Sequence, residues 1–227
     1  MLVDFFRSGF DKSAIISFLL SVPVILVAFS IHEFAHGFVA YKLGDPTARN
    51  LGRLTMNPLK HIDPIGAVLM LVCGIGYAKP VPINTRYFKN PKWGMAITAL
   101  AGPLSNFLLG FIAYMASFLI STKINYMLLS PAMANFVAIL SALLFVMAYR
   151  NVSLAVFNLI IPIPPFDGSR ILFTFLPTKI YFAVMKYERI IMYVLMFAIF
   201  FGSFGSIITY VVGMVLRLFD AFALWVF

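Results

Sequence analysis

Residues 13–31 read SAIISFLLSVPVILVAFSI, nineteen residues without a charge, and residues 32–36 continue the run as HEFAH. An uncharged apolar stretch of about this length can cross the hydrocarbon core of a bilayer as a helix. Two histidines and a glutamate at the end of such a stretch are costly, and ionisable residues at membrane depth generally mark a functional site. The stretch therefore predicts a membrane-spanning helix that carries reactive side chains.

The composition predicts that the rest of the chain also lies in lipid. Of its 227 residues, 62% are hydrophobic and 11% are charged, and the mean hydropathy is +0.98. Soluble domains hold roughly 45–50% apolar and about 25% charged residues, and a small soluble domain could not hide this much apolar surface. We expect an all-α polytopic protein of the cell membrane, with the lipid bilayer as its partner.

The net charge of +9 is explained by basic loops rather than by a nucleic-acid partner. No cluster of lysine and arginine is dense enough to favour nucleic acid. Eight of these residues lie in 42–92 and four in 170–189, against only Lys123 between 121 and 131. The positive-inside rule places both basic segments in the cytoplasm. It also places the N-terminus outside and turns the HEFAH end of the first helix toward the cytoplasm.

Further uncharged windows bring the expected number of hydrophobic helices to about five. They cover residues 93–122, 124–149 and 190–216. The tail over 188–227 is interrupted by GSFGS at 202–206, so it forms either one span with an interfacial helix or two hydrophobic helices. Arg150, by contrast, lies deep in an apolar region with no partner that the sequence identifies, although a charge there costs several kcal/mol unless it is paired.

Residues 64–78, PIGAVLMLVCGIGYA, are apolar but too short to span a bilayer. Their glycines and β-branched residues disfavour a helix. They predict a short re-entrant or β-hairpin segment near 64–83 that returns to the side it left. Non-helical backbone at membrane depth persists only against protein or a water-filled cavity, so this segment also predicts such a cavity.

The H-E-x-x-H motif predicts a metal site. On a helix, His32 and His36 leave the same face, so both imidazoles can bind one ion. Glu33 is close enough to take a proton from a metal-bound water without being a ligand, as in zinc hydrolases. The bare motif also occurs by chance in soluble proteins. Here, however, it takes two of the three histidines and one of the two glutamates, which favours a metal.

Catalytic zinc usually has three protein ligands, and Asp167 is the best candidate for the third. It follows prolines that stop a helix, and Gly168 allows an unusual turn that can point the carboxylate inward. The alternative is an Asp-Gly turn at the membrane surface. The other possible ligands are expected in turns (Asp45, Asp63), in solvent (His61), across the membrane (Asp4, Asp11) or as a buried thiol (Cys73).

Four motifs in order resemble the site-2 protease family of intramembrane zinc metalloproteases: HEFAH at 32–36, GRLTMNPLKHIDPIG at 52–66, AGPLSN at 101–106 and NLIIPIPPFDGSR at 158–170. The chain is most similar to short bacterial and archaeal members without an inserted PDZ domain. The similarity runs from about residue 14 to about residue 176. It implies that His32, His36 and Asp167 bind one zinc ion and that Glu33 is the general base.

The resemblance also implies a catalytic role for Asn158, which would bind the substrate or the oxyanion. The family pattern is F-N-L-x-P-x-P-P-x-D-G, whereas this chain reads FNLIIPIPPFDG, with one additional isoleucine between Asn158 and Pro162. Asn106 is a second candidate for the hydrogen-bond donor to the oxyanion. A polar contact that packs helices is the equally weighted alternative for Asn106.

No internal repeat or low-complexity segment is evident, so we expect a single membrane-embedded domain over 1–227, with C-terminal hydrophobic helices over 188–227. The resemblance implies that this is a protease domain with its catalytic core at about 14–176. The implied activity is that of a zinc metalloendopeptidase that cuts transmembrane protein or peptide substrates in or near their spans. A metal transporter and a catalytically inactive scaffold are the alternatives. A transporter needs ligands along a path across the bilayer, and a scaffold need not keep Glu33. The oligomeric state is left open.

Overall fold

The computed structural model describes the backbone of residues 12–64, 66, 78–164, 166–187, 190–191, 194 and 205–227. The helices are α1 (Lys12–Lys42), α2 (Thr47–Asn50), α3 (Pro91–Lys123), α4 (Pro131–Ile160), α5 (Asp167–Leu172), α6 (Thr178–Lys186) and α7 (Gly205–Val226). Short 3-10 turns lie at Pro58–Lys60, Thr85–Tyr87, Tyr126–Leu128 and Phe173–Phe175. The predicted all-α class is confirmed.

Within the described residues, four helices, α1, α3, α4 and α7, are long and apolar enough to cross a membrane. The qualifying stretches hold 22, 33, 30 and 21 residues. At 1.5 Å per residue, each reaches about 30 Å or more, which is the thickness of the hydrocarbon core. A fifth hydrophobic helix was expected in the tail, but most of residues 188–204 lie outside the described part of the chain.

Asparagine-proline and serine-proline pairs start the two longest spans after α1. The side chain of Asn90 accepts a hydrogen bond from a backbone N–H in the first turn of α3, and Pro91 occupies the first helical position. Ser130 and Pro131 start α4 in the same way. These pairs satisfy one of the orphan N–H groups at the start of each helix and preset the backbone for it.

The sides of α3 are arranged as lipid requires. Its buried face carries small and polar residues at helical spacing: Gly102, Asn106, Gly110, Ala113 and Ser117. The opposite face exposes large apolar side chains, with 58% of Leu104, 57% of Leu108 and 56% of Ile112 accessible. Small residues let helix backbones approach closely where no hydrophobic effect drives association. The large side chains are left to contact lipid.

α4 packs closely on this small-residue face. A Cβ added at Gly110 would lie 2.9 Å from Cγ2 of Val152 on α4. Nearer the other end of the pair, the hydroxyl of Ser117 donates to the backbone oxygen of Ser141 at 3.0 Å. α7 then covers both helices, as Phe219 on α7 is buried in one cluster with Val152.

Both basic segments lie at the same end of the bundle. Ala40 near the end of α1 packs with Phe88 and Met95 at the start of α3. Lys92 of α3 donates to the backbone oxygen of Leu176, which follows α5. Lys123, at the opposite end of α3, contacts the last residue of the chain. The structure therefore places 42–61 and 170–187 together, as the charge count requires.

The ends of the predicted re-entrant segment meet. Ile62 and Ala78 form an isolated antiparallel bridge, and the N–H of Lys79 donates to the backbone oxygen of His61 at 2.8 Å. Residue 65 and residues 67–77 lie outside the described part of the chain, so the choice between re-entrant segment and hairpin stays a prediction. The bridge does show that the chain leaves and returns at one place.

The expectation that His61 faces solvent is wrong. Only 2% of its surface is exposed, and its Nε2 hydrogen-bonds to the backbone oxygen of Thr55 at 2.8 Å. A histidine among basic residues looks solvent-exposed in sequence, but here the ring is buried next to the backbone of Thr55. Arg150 also has a contact that the sequence could not identify. Its Nη2 lies 3.4 Å from the hydroxyl oxygen of Ser21 on α1.

Candidate metal centre

α1 brings two imidazoles to one face, one turn apart. The rings of His32 and His36 pack edge to face, with centroids 4.6 Å apart and planes at 89°. Both side chains are buried, with 5% and 7% exposed. The four-residue spacing on a continuous helix produces this pair, as the sequence predicts.

A carboxylate reaches the histidines from beyond α4. The proline-rich stretch ends that helix, and α5 begins at Asp167. Gly168 permits a close return of the chain, because a Cβ there would lie 2.3 Å from the backbone oxygen of Leu159. Oδ2 of Asp167 lies 3.1 Å from Nε2 of His32, and Oδ1 lies 3.4 Å from Nε2 of His36.

The other nitrogen of each ring is bound to an acceptor. Nδ1 of His36 lies 2.7 Å from the backbone oxygen of Thr98. Nδ1 of His32 lies 2.8 Å from Oδ1 of Asn106. A carbonyl oxygen only accepts, so Nδ1 must carry the proton in both rings. In neutral rings, each Nε2 therefore directs a lone pair toward the Asp167 carboxylate.

Lone pairs directed at a carboxylate repel it unless a positive charge lies between them. The three candidate ligand atoms all lie within 4.8 Å of one another. Two ligands on a tetrahedral zinc, each about 2.0–2.1 Å from the metal, are separated by about 3.3 Å. The distance from Nε2 of His32 to Oδ2 of Asp167 is 3.1 Å, and the distance from Nε2 of His36 to Oδ1 is 3.4 Å. Both are close to this value. Two imidazoles and one carboxylate are also a zinc donor set that leaves a fourth position open.

Asp167 is ionised in this setting. Burial raises the pKa of its carboxyl group, but the charge of a protonated His36 and hydrogen bonds from protonated Nε2 atoms of His36 and His32 hold that pKa well below its usual range. A bound cation would supply the same positive charge while both rings stay neutral. The carboxylate is therefore in the form that a metal ligand requires.

The wall opposite the histidines has no side chain. A Cβ added at Gly102 of α3 would lie 2.4 Å from Nε2 of His36 and 2.8 Å from Cε1 of His32. Only glycine leaves room there for both rings. The glycine of the AGPLSN motif is thus explained by close approach to the centre.

Glu33 lies beside the three candidate ligands without joining them. Its side chain is 9% exposed, and its Oε2 accepts a hydrogen bond from the backbone N–H of Val81 at 2.8 Å. This position next to His32 fits a group that acts on a water molecule rather than on the metal.

One protein family matches most of this chain. The sequence profile of peptidase family M50 covers residues 20–138 and 123–202. The chain belongs to peptidase family M50. No solved structure matches it.

Two M50-like relatives carry informative names. "Putative zinc metalloprotease YwhC" of Bacillus subtilis is 38% identical over 185 residues, which cover 81% of this chain and 82% of that protein. "Putative zinc metalloprotease Rip2" of Mycolicibacterium smegmatis is 30% identical over 157 residues, which cover 66% of this chain and 55% of that protein. M50 peptidases use zinc, so the predicted family and cofactor are confirmed. With the four apolar helices, the family also confirms a multi-pass membrane protein.

In this M50 chain Asn106 contacts the centre through its hydrogen bond to His32. Its side chain is fully buried, and Nδ2 donates to the backbone oxygen of Ala28 at 3.2 Å and to Oδ1 of Asn151 at 2.9 Å. Because Oδ1 already binds His32, every polar atom of the amide is engaged. These contacts favour a positioning role over donation to an oxyanion.

The remaining sequence candidates that the structure describes have hydrogen-bond partners of their own. Nδ2 of Asn158 donates to the backbone oxygen of Leu154 on its own helix at 2.9 Å, so its catalytic role stays a prediction. Asp45 accepts hydrogen bonds from Thr47 and Asn84. Asp63 accepts one from Gly66, as its turn position suggests. Cys73 lies outside the described residues.

Sequence reasoning missed Asn151 and Val81. Asn151 is fully buried in α4 and bonds Asn106, which in turn bonds His32. An asparagine in a long apolar helix is costly, and that cost was a usable signal. Val81 contributes its backbone N–H, and the identity of a residue in the sequence does not indicate where its backbone N–H will donate.

Replacing Asn106 with alanine should weaken zinc binding by about 10- to 100-fold, the usual cost of losing a residue that orients a metal-bound histidine. The matched control is Asn158→Ala, which removes an amide that bonds only its own helix and should leave zinc affinity unchanged. Competition against a chromophoric chelator in detergent measures both. Equal zinc affinity in the two variants would show that Asn106 does not orient His32.

Proposed function

We propose that this M50 member is an intramembrane zinc metalloendopeptidase that cuts transmembrane protein or peptide substrates in or near their spans. The convergence of His32, His36 and Asp167 supports the proposal most directly, because two separate elements deliver three zinc-type donors to one buried point. An intramembrane position is supported by the four described helices that are long and apolar enough to span a membrane.

His32 and His36 would hold zinc through Nε2, and Asp167 through its carboxylate. Zinc bound there supplies Lewis-acid chemistry, acidifying a water molecule and polarising the carbonyl group of the scissile bond. The residues of this chain supply the rest. Thr98 and Asn106 fix the proton of each imidazole on Nδ1, which keeps both Nε2 atoms available to the metal.

Glu33 would move the proton. Its carboxylate takes a proton from the attacking water and passes it to the nitrogen of the leaving amine as the peptide bond breaks. The hydrogen bond from Val81 engages Oε2, so Oε1 is the oxygen left to exchange the proton. Asn158 remains the candidate donor to the oxyanion, because its amide nitrogen carries a second hydrogen beyond the one bound to Leu154, whereas the engaged amide of Asn106 has no hydrogen to offer.

The two alternative functions have less support. In the described residues, the three candidate zinc ligands form the only group that could hold a metal ion, whereas a transporter needs several such groups along a path. A scaffold would have no use for a buried Glu33 placed beside that group. Hydrolysis fits both observations.

Glu33→Gln should abolish cleavage while one zinc ion per chain is retained. The substitution keeps the shape of the side chain but removes its basicity, so the rate should fall by at least about 100-fold. The matched control is Asp220→Asn, which changes a carboxylate paired with Tyr114 away from the site. The measurement uses the purified full chain in proteoliposomes, single-span test proteins tagged at both ends, mass spectrometry of the cut position and elemental analysis for zinc.

Two outcomes would overturn the proposed function. The Glu33→Gln chain could cleave at the wild-type rate, or the wild-type chain could move zinc across the vesicle membrane and cut no test protein. A cut far from the span would contradict the intramembrane position alone.

We also propose that the end of the bundle with the basic segments faces the cytoplasm. In a Cys73→Ala background, Lys60→Cys and Met127→Cys place single thiols on exposed residues at opposite ends. A membrane-impermeant maleimide added to intact cells should label Met127→Cys, and it should label Lys60→Cys only after permeabilisation. The reverse labelling pattern would show that the basic segments lie outside the cell, which would contradict the proposed orientation.

A further inference from the structure

The backbone N–H of Val81 is bound to the side chain proposed as the general base. The N–H donates to Oε2 of Glu33 at 2.8 Å, in a buried position where 5% of Val81 is exposed. A hydrogen bond to a carboxylate is roughly twice as strong as one between neutral groups. The contact therefore restricts the orientation of the Glu33 carboxylate.

The sequence around Val81 makes this donor unambiguous. Pro80 and Pro82 flank it, and a proline has no backbone N–H. Val81 thus carries the only N–H in three consecutive residues. The following proline also biases Val81 toward an extended backbone. A chain slipped by one residue in either direction could not make the bond to Glu33.

The side chain of Val81 is held against the same helix that carries Glu33. A Cβ added at Gly37, one turn after Glu33, would lie 3.1 Å from Cγ1 of Val81. The glycine lets the segment lie directly on α1. Val81 is therefore fixed on α1 by its side chain as well as by its N–H.

Residues 79–84, which we call the strap, are anchored on both sides of Val81. Before it, Nη2 of Arg53 donates to the backbone oxygens of Lys79 at 2.7 Å and Pro80 at 3.3 Å. After it, Oδ2 of Asp45 accepts the backbone N–H of Asn84 at 2.7 Å. Asp45 is fully buried, so this second anchor is itself fixed.

We propose that the strap is a positioning element for Glu33. By engaging Oε2, the N–H of Val81 holds the carboxylate in one rotamer and presents Oε1 to the water. Arg53 and Asp45 keep the N–H in place from either side. This inference rests on the proposed function of Glu33 as general base. It assigns to Val81, Arg53 and Asp45 a role in orienting that base.

The test compares two substitutions at one position. Val81→Pro removes the N–H but keeps most of the side-chain volume, whereas Val81→Ala keeps the N–H and removes apolar contacts. Val81→Pro should lower kcat by about 30-fold, since misplacing a catalytic group by about 1 Å can cost 100-fold. KM should change less than about threefold, and Val81→Ala, which keeps the N–H, should lose much less of its kcat than Val81→Pro. Zinc content should stay at one ion per chain in both.

A second pair guards against a Val81→Pro chain that fails to fold. Arg53→Ala removes the anchor at Lys79 and Pro80. Arg49→Ala removes a neighbouring guanidinium that hydrogen-bonds to Tyr41 instead. Arg53→Ala should lower kcat by about tenfold with zinc retained, and Arg53→Lys should recover part of it. Arg49→Ala should match the wild type.

Several results would overturn the proposed role of the strap in positioning Glu33. Val81→Ala could lose as much kcat as Val81→Pro, which would indicate packing alone. The Val81→Pro chain could lose its zinc, which would indicate a structural role in the centre. Arg53→Ala could behave like Arg49→Ala. A wild-type chain that cuts no test protein would instead be a failure of the proposed protease function, so the two failures are distinguishable.

Discussion

Two neutral imidazoles and an ionised carboxylate, buried together and pointing at one another, are stable only around a positive charge. The Nδ1 protons of His32 and His36 are bound to Asn106 and Thr98, so in the neutral rings both Nε2 lone pairs face Asp167. This constraint explains the surrounding sequence. A side chain at position 102 would displace the rings, and a side chain at position 168 would prevent the carboxylate from reaching them.

Around this point the membrane determines how polar groups are used. Lipid cannot satisfy them, so each buried polar side chain described near the centre binds another part of the protein. Asn151 holds Asn106, which holds His32, and the N–H of Val81 holds Glu33. On α3, large apolar residues face outward, and small residues face the neighbouring helices. The bundle thereby combines a lipid-compatible exterior with a precisely oriented polar interior.

The sequence predicted what depends on local periodicity and on scarce residues. Four-residue spacing placed the two histidines together, and the prolines before Asp167 indicated why a helix would stop where a carboxylate is needed. Contacts between distant segments could not be read in this way. Asn151 is 45 residues from its partner, and Val81 acts through a backbone group 48 residues from Glu33. His61 was misjudged because its neighbours in sequence are basic, although its ring is buried and bound to the backbone of Thr55, six residues earlier.

X-ray absorption at the zinc edge of the purified chain reports the atoms bound to the metal, so it tests whether His32, His36 and Asp167 bind one zinc ion. We expect two imidazole nitrogens, with oxygen atoms at about 2.0–2.2 Å completing the coordination and no sulfur. A sulfur at about 2.3 Å, which would point to Cys73, or fewer than two imidazoles would contradict it.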